Sequence, residues 1–190
     1  INKINKEYEE VCKRDHLVDF GELLLRSYEV LVQSPSVKSF FQTRFQSILI
    51  DEFQDTNTIQ YKWLREIASE KTNVTAVGDD DQSIYGWRGA KVEHVNSFTE
   101  DYQNTEIIRL EQNYRSTNVI LDAANALIDN NKDRFGKNLW TDKPEGEKII
   151  LYQAYNEQDE ARFIADILKG WMNNGGAYEE AAVLYRSNAQ

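Results

Sequence analysis

The chain has 190 residues and a formal net charge of −10 at pH 7. That balance argues against a protein that coats nucleic acid by charge alone, because sequence-independent binding rests on neutralising phosphates. Hydrophobic residues make up 41% of the sequence, enough for a core, yet no apolar run approaches the roughly 20 residues that span a bilayer.

Residues 1–45 read as helical. Phe20, Leu23, Leu24, Ser27, Tyr28 and Leu31 recur at helical spacing and predict one mostly apolar face. Ser34-Pro35-Ser36 predicts a break and a new helix start. From 46 to 110, apolar runs near 47–50, 74–77 and 106–110 alternate with helical stretches near 58–69 and 91–100. Such alternation predicts a parallel sheet with covering helices. From 111 to 190 the pattern begins again. A helix starts near Ser116 or Thr117, with Val119, Ile120, Ala123, Ala124, Leu127 and Ile128 on one face. Residues 148–153 read as a strand. Phe163, Ile164, Ile167, Leu168 and Trp171 predict another helical face, which Asn173-Asn174-Gly175-Gly176 terminates. Residues 182–185 read as a further strand. The fold class is α/β.

Three blocks carry chemistry. Ile48-Leu49-Ile50 runs directly into Asp51-Glu52-Phe53-Gln54-Asp55. Ligands of α/β sheets bind outside the carboxyl ends of strands. Two carboxylates delivered there either turn the chain or hold a magnesium ion and polarise a water. Val74-Thr75-Ala76-Val77 ends likewise, on Gly78-Asp79-Asp80-Asp81-Gln82-Ser83. Gln82 has the reach to meet a terminal phosphate or the attacking water. Tyr85 and Trp87 follow, two apart, beside Arg88. Spaced aromatics next to a cation suit stacking of unpaired bases, although isolated rings are usually core residues. The third block, Leu110-Glu111-Gln112-Asn113-Tyr114-Arg115-Ser116, puts an arginine beside a tyrosine at a strand-to-helix junction. Arginine supplies a planar fork for phosphate oxygens, and a solvated arginine is the plainer alternative.

The segments DEFQDTN at 51–57, VGDDDQSIYGWRGA at 77–90, LEQNYRS at 110–116, GKNLWTD at 136–142 and AVLYRSNAQ at 182–190 resemble, in order and spacing, the superfamily 1 DNA helicases of the UvrD/Rep/PcrA group. The resemblance covers essentially the whole chain. It implies parts of two RecA-like, parallel-sheet motor domains preceded by a helical segment: 1–45 as the end of a 1B-like insertion, 46–110 as the second half of motor domain 1A, and 111–190 as the first part of motor domain 2A. It implies ATP and Mg2+ as cofactors, with Asp51 and Glu52 as the Walker B metal and catalytic pair and Gln82 as the γ-phosphate sensor. Tyr114 resembles the ring that packs on adenine, and Arg115 the arginine that reaches the γ-phosphate from the second motor domain. Tyr85, Trp87, Arg88, Arg186 and Asn188 resemble residues along the DNA track. The implied partners are single-stranded DNA, single-strand/duplex junctions and DNA-repair proteins, with no membrane. The implied activity is ATP-driven 3′ to 5′ translocation and duplex unwinding. The motor part of a helicase–nuclease, or a non-catalytic module that binds DNA or a partner, are the alternatives. One departure stands at Asp19-Phe20-Gly21-Glu22-Leu23-Leu24, where Gly21 replaces an acid of the family pattern.

The family's phosphate loop, Gly-x-x-x-x-Gly-Lys-Ser/Thr, has no counterpart here. Gly136-Lys137 is followed by Asn138, and Asn131 stands where the first glycine belongs. The chain opens at Ile1 and closes inside a motif, which predicts an internal piece of a longer protein that does not hydrolyse ATP alone. A sheet cut short is expected to expose an edge or an unfilled core, which invites aggregation or pairing with another copy. The single Cys12 cannot form an internal disulfide, which favours a reducing cytoplasm. It reads as a plain helix residue. Asp79, Asp81 and Ser83 fail as a calcium loop, since Ile84 replaces the turn glycine and Ala90 the final glutamate. The acids at 79–81 read as solvated capping groups, with a second metal cluster as the alternative. His16 and His94 read as surface or helix histidines, Trp63, Trp140 and Trp171 as packing residues, and Lys137 and Lys143 as solvated.

Overall fold

The computed structural model describes residues 2–132 and 134–187. The chain divides into two compact units. The first is 1–112 together with 124–140, and the second is 113–123 together with 141–190.

The first unit opens with three helices: α1 (Asn2–Arg14), α2 (Phe20–Gln33) and α3 (Pro35–Arg44). Asp19 caps α2 by accepting the Glu22 N–H at 2.7 Å. Pro35 opens α3, where its missing N–H costs nothing. Only the later part of the expected α2 face is covered. Leu31 is buried, whereas Phe20 is 92% exposed and Leu23 also faces solvent.

Strand β1 (Ser47–Ile50) pairs in parallel with β2 (Asn73–Ala76), placing Ile48 opposite Val74 and Ile50 opposite Ala76. Helix α4 (Thr58–Ile67) connects them. Asn57 starts it with a reciprocal cap. Its side chain accepts from Gln60 N–H at 3.0 Å, and its own N–H donates to Gln60 Oε1 at 2.8 Å. Tyr61, Leu64 and Ile67 form its buried stripe. At the far end, Gln42 of α3 donates to the carbonyls of Glu66 and Ala68, which α4 leaves unsatisfied. Helix α5 (Glu93–Asp101) completes the layer. The core is Phe53, Tyr61, Leu64 and Phe98, against which Ile48, Ile50, Val74 and Ala76 pack. Its rings meet at centroid distances of 5.4 to 5.9 Å. Burial, and then the hydrogen bond to Asp101, push the Tyr61 phenol well above its ordinary pKa. His94, read as a surface or helix histidine, lies in α5 and is buried. It stacks on Tyr61 at 4.8 Å, with Nδ1 3.1 Å from the Thr56 carbonyl.

The expected strand at 106–110 has no ladder partner among the described residues. These residues line an open groove of about 1120 Å3 beside β2, with Val74, Ala76, Phe98 and Phe135 on its other walls. A strand exists only where a neighbour takes its backbone groups, and here the apolar run stands apart from β2. The expected strands at 148–153 and 182–185 likewise form no ladder among the described residues. The sheet is therefore small, two parallel strands in a mixed α/β chain.

Helix α6 (Asn118–Ile128) runs from the second unit's sequence into the first, and Leu121 is its buried residue. The second unit holds α7 (Glu157–Asn173). Asn156 caps it by accepting from the Asp159 N–H, and three acids in its first turn suit the helix dipole. Tyr152 stacks on Phe163 at 3.8 Å. Trp171 closes the other end, donating to the Ala177 carbonyl. A Cβ on Gly176 would lie 2.0 Å from the Trp171 ring nitrogen, so that turn needs a glycine. No helix is long and apolar enough to cross a membrane among the described residues.

Candidate nucleotide and nucleic-acid site

Because β1 and β2 run parallel, the loops after both strands emerge at the same end of the sheet. Two backbone bonds knit them together there. Val77 N–H donates to the Ile50 carbonyl at 2.8 Å, and Phe53 N–H to the Val77 carbonyl at 2.9 Å. Asp51 and Glu52 are both exposed at this end. Glu52 holds φ 50° and ψ 45°, a left-handed backbone that is uncommon outside glycine and asparagine. The next three residues form a tight helical turn, Phe53–Asp55.

Gln54 joins the two loops and was assigned no role from the sequence. It is only 1% exposed. Its Nε2 donates to Glu52 Oε2 at 2.8 Å, and its Oε1 accepts the Asp79 N–H at 2.9 Å. Gly78 makes room for this bridge. A Cβ there would fall 2.7 Å from Gln54 Oε1 and 3.1 Å from the Phe53 nitrogen. The signal lay in the block 51–57 itself, since a glutamine between apolar and acidic neighbours has two ends to satisfy once buried.

Asp79 caps its turn as expected, accepting the Asp81 N–H, but Asp79, Asp80 and Asp81 are half-buried rather than solvated. Their carboxylates lie within 4.8 Å of one another, but each is matched by a donor from residues 134–137. Arg134 grips both oxygens of Asp81, at 2.8 and 2.9 Å, in the fork geometry that guanidinium favours. Phe135 N–H donates to Asp80 at 2.8 Å, and Lys137 Nζ donates to Asp79 Oδ1. Lys137, expected in solvent, is thus half-enclosed in an ion pair. Arg134 carried no expectation at all. Its partner lies 53 residues away, beyond the reach of local pattern. Burial works to raise the Asp79 carboxyl, but hydrogen bonds from Lys137 and Gln82 prevail and hold it below the usual carboxylate range. Gln82 is exposed, and its Nε2 donates to Asp79 Oδ2 at 2.6 Å.

Beyond Gln82 the chain forms another tight turn, Gly86–Arg88, closed by Gly89 at φ 86°. Ala90 then bridges back to Asn57, anchoring the end of this block to the end of the first. Between them Trp87 stands 74% exposed and Tyr85 half-buried, with ring centroids 6.4 Å apart. The Arg88 guanidinium lies over both rings, 4.8 Å from Tyr85 and 4.5 Å from Trp87. The result is an open aromatic face carrying a positive charge.

Tyr114 and Arg115 belong to the second unit and are exposed. The Asn113 side chain accepts the N–H groups of Arg115 and Ser116, shaping the turn that leads into α6, and Lys143 Nζ donates to the Arg115 carbonyl at 2.7 Å. Lys143 is therefore engaged rather than simply solvated. Arg186 is exposed, and Asn188 lies outside the described residues.

Residues 1–103 match the UvrD/REP helicase N-terminal domain, and residues 108–190 match the UvrD-like helicase C-terminal domain. The chain belongs to the UvrD/Rep helicase family. It is 57% identical to DNA helicase II of Escherichia coli over 188 residues, which is 99% of this chain and 26% of that protein. It is 54% identical to DNA helicase II of Haemophilus influenzae over the same length, and 45% identical to ATP-dependent DNA helicase PcrA of Staphylococcus aureus over 183 residues, 25% of that protein. The chain spans about a quarter of the length of these curated relatives.

Proposed function

We propose that the chain supplies the catalytic pair, the γ-phosphate sensor and part of the single-strand grip of an ATP-driven DNA helicase. The observation that carries this is the shared strand end. Asp51, Glu52 and Gln82 emerge on loops that Gln54 ties together, and the exposed Trp87–Arg88 face follows in the same block. The identity of the relatives, DNA helicase II and ATP-dependent DNA helicase PcrA, supports the same reading.

Two exposed carboxylates at a strand end form a hard oxygen donor set of the kind magnesium takes when it also holds nucleotide phosphates. Bound there, the ion would offset charge on the phosphate oxygens. Asp51 would hold the ion or its water shell, and Glu52 would orient the attacking water and receive its proton. The Glu52–Gln54 hydrogen bond limits where that carboxylate points. Gln82 would meet the terminal phosphate. Tyr114 would pack on adenine, and Arg115 would reach the γ-phosphate. Tyr85, Trp87, Arg88, Arg186 and Asn188 would lie along the DNA. On this reading 1–45 ends a 1B-like insertion, 46–110 is the later half of a RecA-like domain 1A, and 111–190 begins domain 2A. The phosphate cradle comes from residues outside these 190. The protein works in the cytoplasm on single strands and junctions during DNA repair.

The test is phosphate release in the full-length protein and in the 190-residue chain. Single-stranded DNA is expected to stimulate release by the full-length protein. Glu52→Gln is expected to reduce it by about 10²-fold or more, the scale of general-base catalysis. The 190-residue chain is expected to release no more than its own Glu52→Gln variant. DNA-stimulated turnover that survives Glu52→Gln in the full-length protein would remove the catalytic assignment.

A further inference from the structure

We propose that Lys137, backed by Arg134, is a positioning residue for Gln82 and acts through Asp79. The inference rests on the reading of Gln82 as the group that meets the terminal phosphate or the attacking water. The Asp79 carboxylate has two jobs. Oδ2 accepts from Gln82 Nε2 at 2.6 Å, while Oδ1 accepts from Lys137 Nζ and from the Asp81 N–H at 3.1 Å. The Asp79 backbone is already held, because its N–H goes to the buried Gln54. What remains is rotation of the carboxylate, which the Asp81 N–H and Lys137 oppose, and among the described residues Lys137 supplies the full charge that does so. Gln82 is exposed, and among the described residues the side-chain acceptor of its amide is Asp79. If Asp79 turns, the Gln82 amide turns with it.

Arg134 fixes the other end of the relay. Its Nη2 donates to the Lys137 carbonyl at 2.8 Å while the same guanidinium grips Asp81. It therefore holds the backbone that carries the ammonium against the turn that carries Asp79. The Arg134 and Asp81 side chains are only 13% and 11% exposed, so water competes little for this pair. Glu52 is linked to the same turn through Gln54. The reacting groups at 52 and 82 are thus registered to each other through residue 79, and residues 134–137 set the rotation of its carboxylate.

The experiment is a kinetic cycle in the full-length protein, paired with amide exchange in nucleotide-free protein. Lys137→Met is expected to lower kcat for DNA-stimulated ATP turnover at least fivefold, with KM for ATP within twofold. Lys137→Arg is expected to recover most of that loss. In a Gln82→Ala background, Lys137→Met is expected to cost less than twofold, because residues acting in series are not additive. Amide exchange at Asp81 and Gln82 is expected to quicken in Lys137→Met. Lys137→Gln, which keeps a donor but no charge, gives a second arm should Lys137→Met fail to fold, and its loss must also vanish in the Gln82→Ala background. An equal loss of kcat with and without Gln82, or no loss at all, would overturn the proposal. Failure of the functional reading would look different. Gln82→Ala would then leave turnover unchanged, and the exchange rates at residue 82 would still decide whether Lys137 orders the turn.

Discussion

Glu52 is placed by strain as much as by bonding. A non-glycine residue in the left-handed region costs of order 1–3 kcal/mol and persists only where its surroundings over-determine it. Here the Phe53 N–H held by Val77 and the carboxylate held by Gln54 do so. Asp51, Glu52 and Gln82 were legible because a short aliphatic run followed by acids or amides is a local pattern. Gln54 was spelled out in the same motif, but its purpose was not legible, since the amide it accepts belongs to residue 79. Trp87 is the clearest case of a residue whose position suggests its use. A large ring left 74% exposed beside a guanidinium gains nothing for the core. Trp87→Ala is expected to weaken single-strand binding by the full-length protein by about 1–3 kcal/mol, the worth of one stacked base. It should leave the melting temperature unchanged. Fluorescence anisotropy with a labelled oligonucleotide, alongside thermal unfolding, checks both halves of the expectation.

At the scale of elements, helices were easier to read than strands. The breaks at Ser34-Pro35 and at 173–176 are written in local chemistry and appear in place. The strands β1 and β2 form because each finds the other. Residues 106–110, 148–153 and 182–185 have the same apolar character, but a strand needs a partner as well as a composition, and these segments have none in a ladder among the described residues. The clasp between the turn at 79–81 and residues 134–137 was illegible for a related reason: charges 53 to 58 residues apart share no local pattern. Its pH dependence follows from Asp79. A carboxylate held below its ordinary pKa adds stability that is fully present above the unfolded value. That stability is lost as pH falls through the lower, folded value. Wild-type protein is therefore expected to melt at a higher temperature than Asp79→Asn near neutral pH. The gap is expected to close as the pH drops below the usual carboxylate range. A gap that stays constant on acidification would remove Asp79 from the stability of the turn.

At the scale of the whole molecule, the chain carries more apolar surface than a self-sufficient domain of its size should. Leu49, Leu151 and Leu184 are each more than 70% exposed, and the groove beside β2 is open. Contiguous apolar surface and unpaired strand edges favour association. The isolated 190-residue chain is expected to form dimers or larger species at micromolar concentration, measured by size-exclusion chromatography with light scattering. A strictly monomeric chain would show that these surfaces close on themselves. The clasp at residues 134–137 also bears on synthesis. A ribosome releases the three adjacent aspartates more than fifty residues before their cations. For that interval the nascent turn holds a bare cluster of negative charge, and the Gln82 loop cannot set until Arg134 and Lys137 have left the exit tunnel.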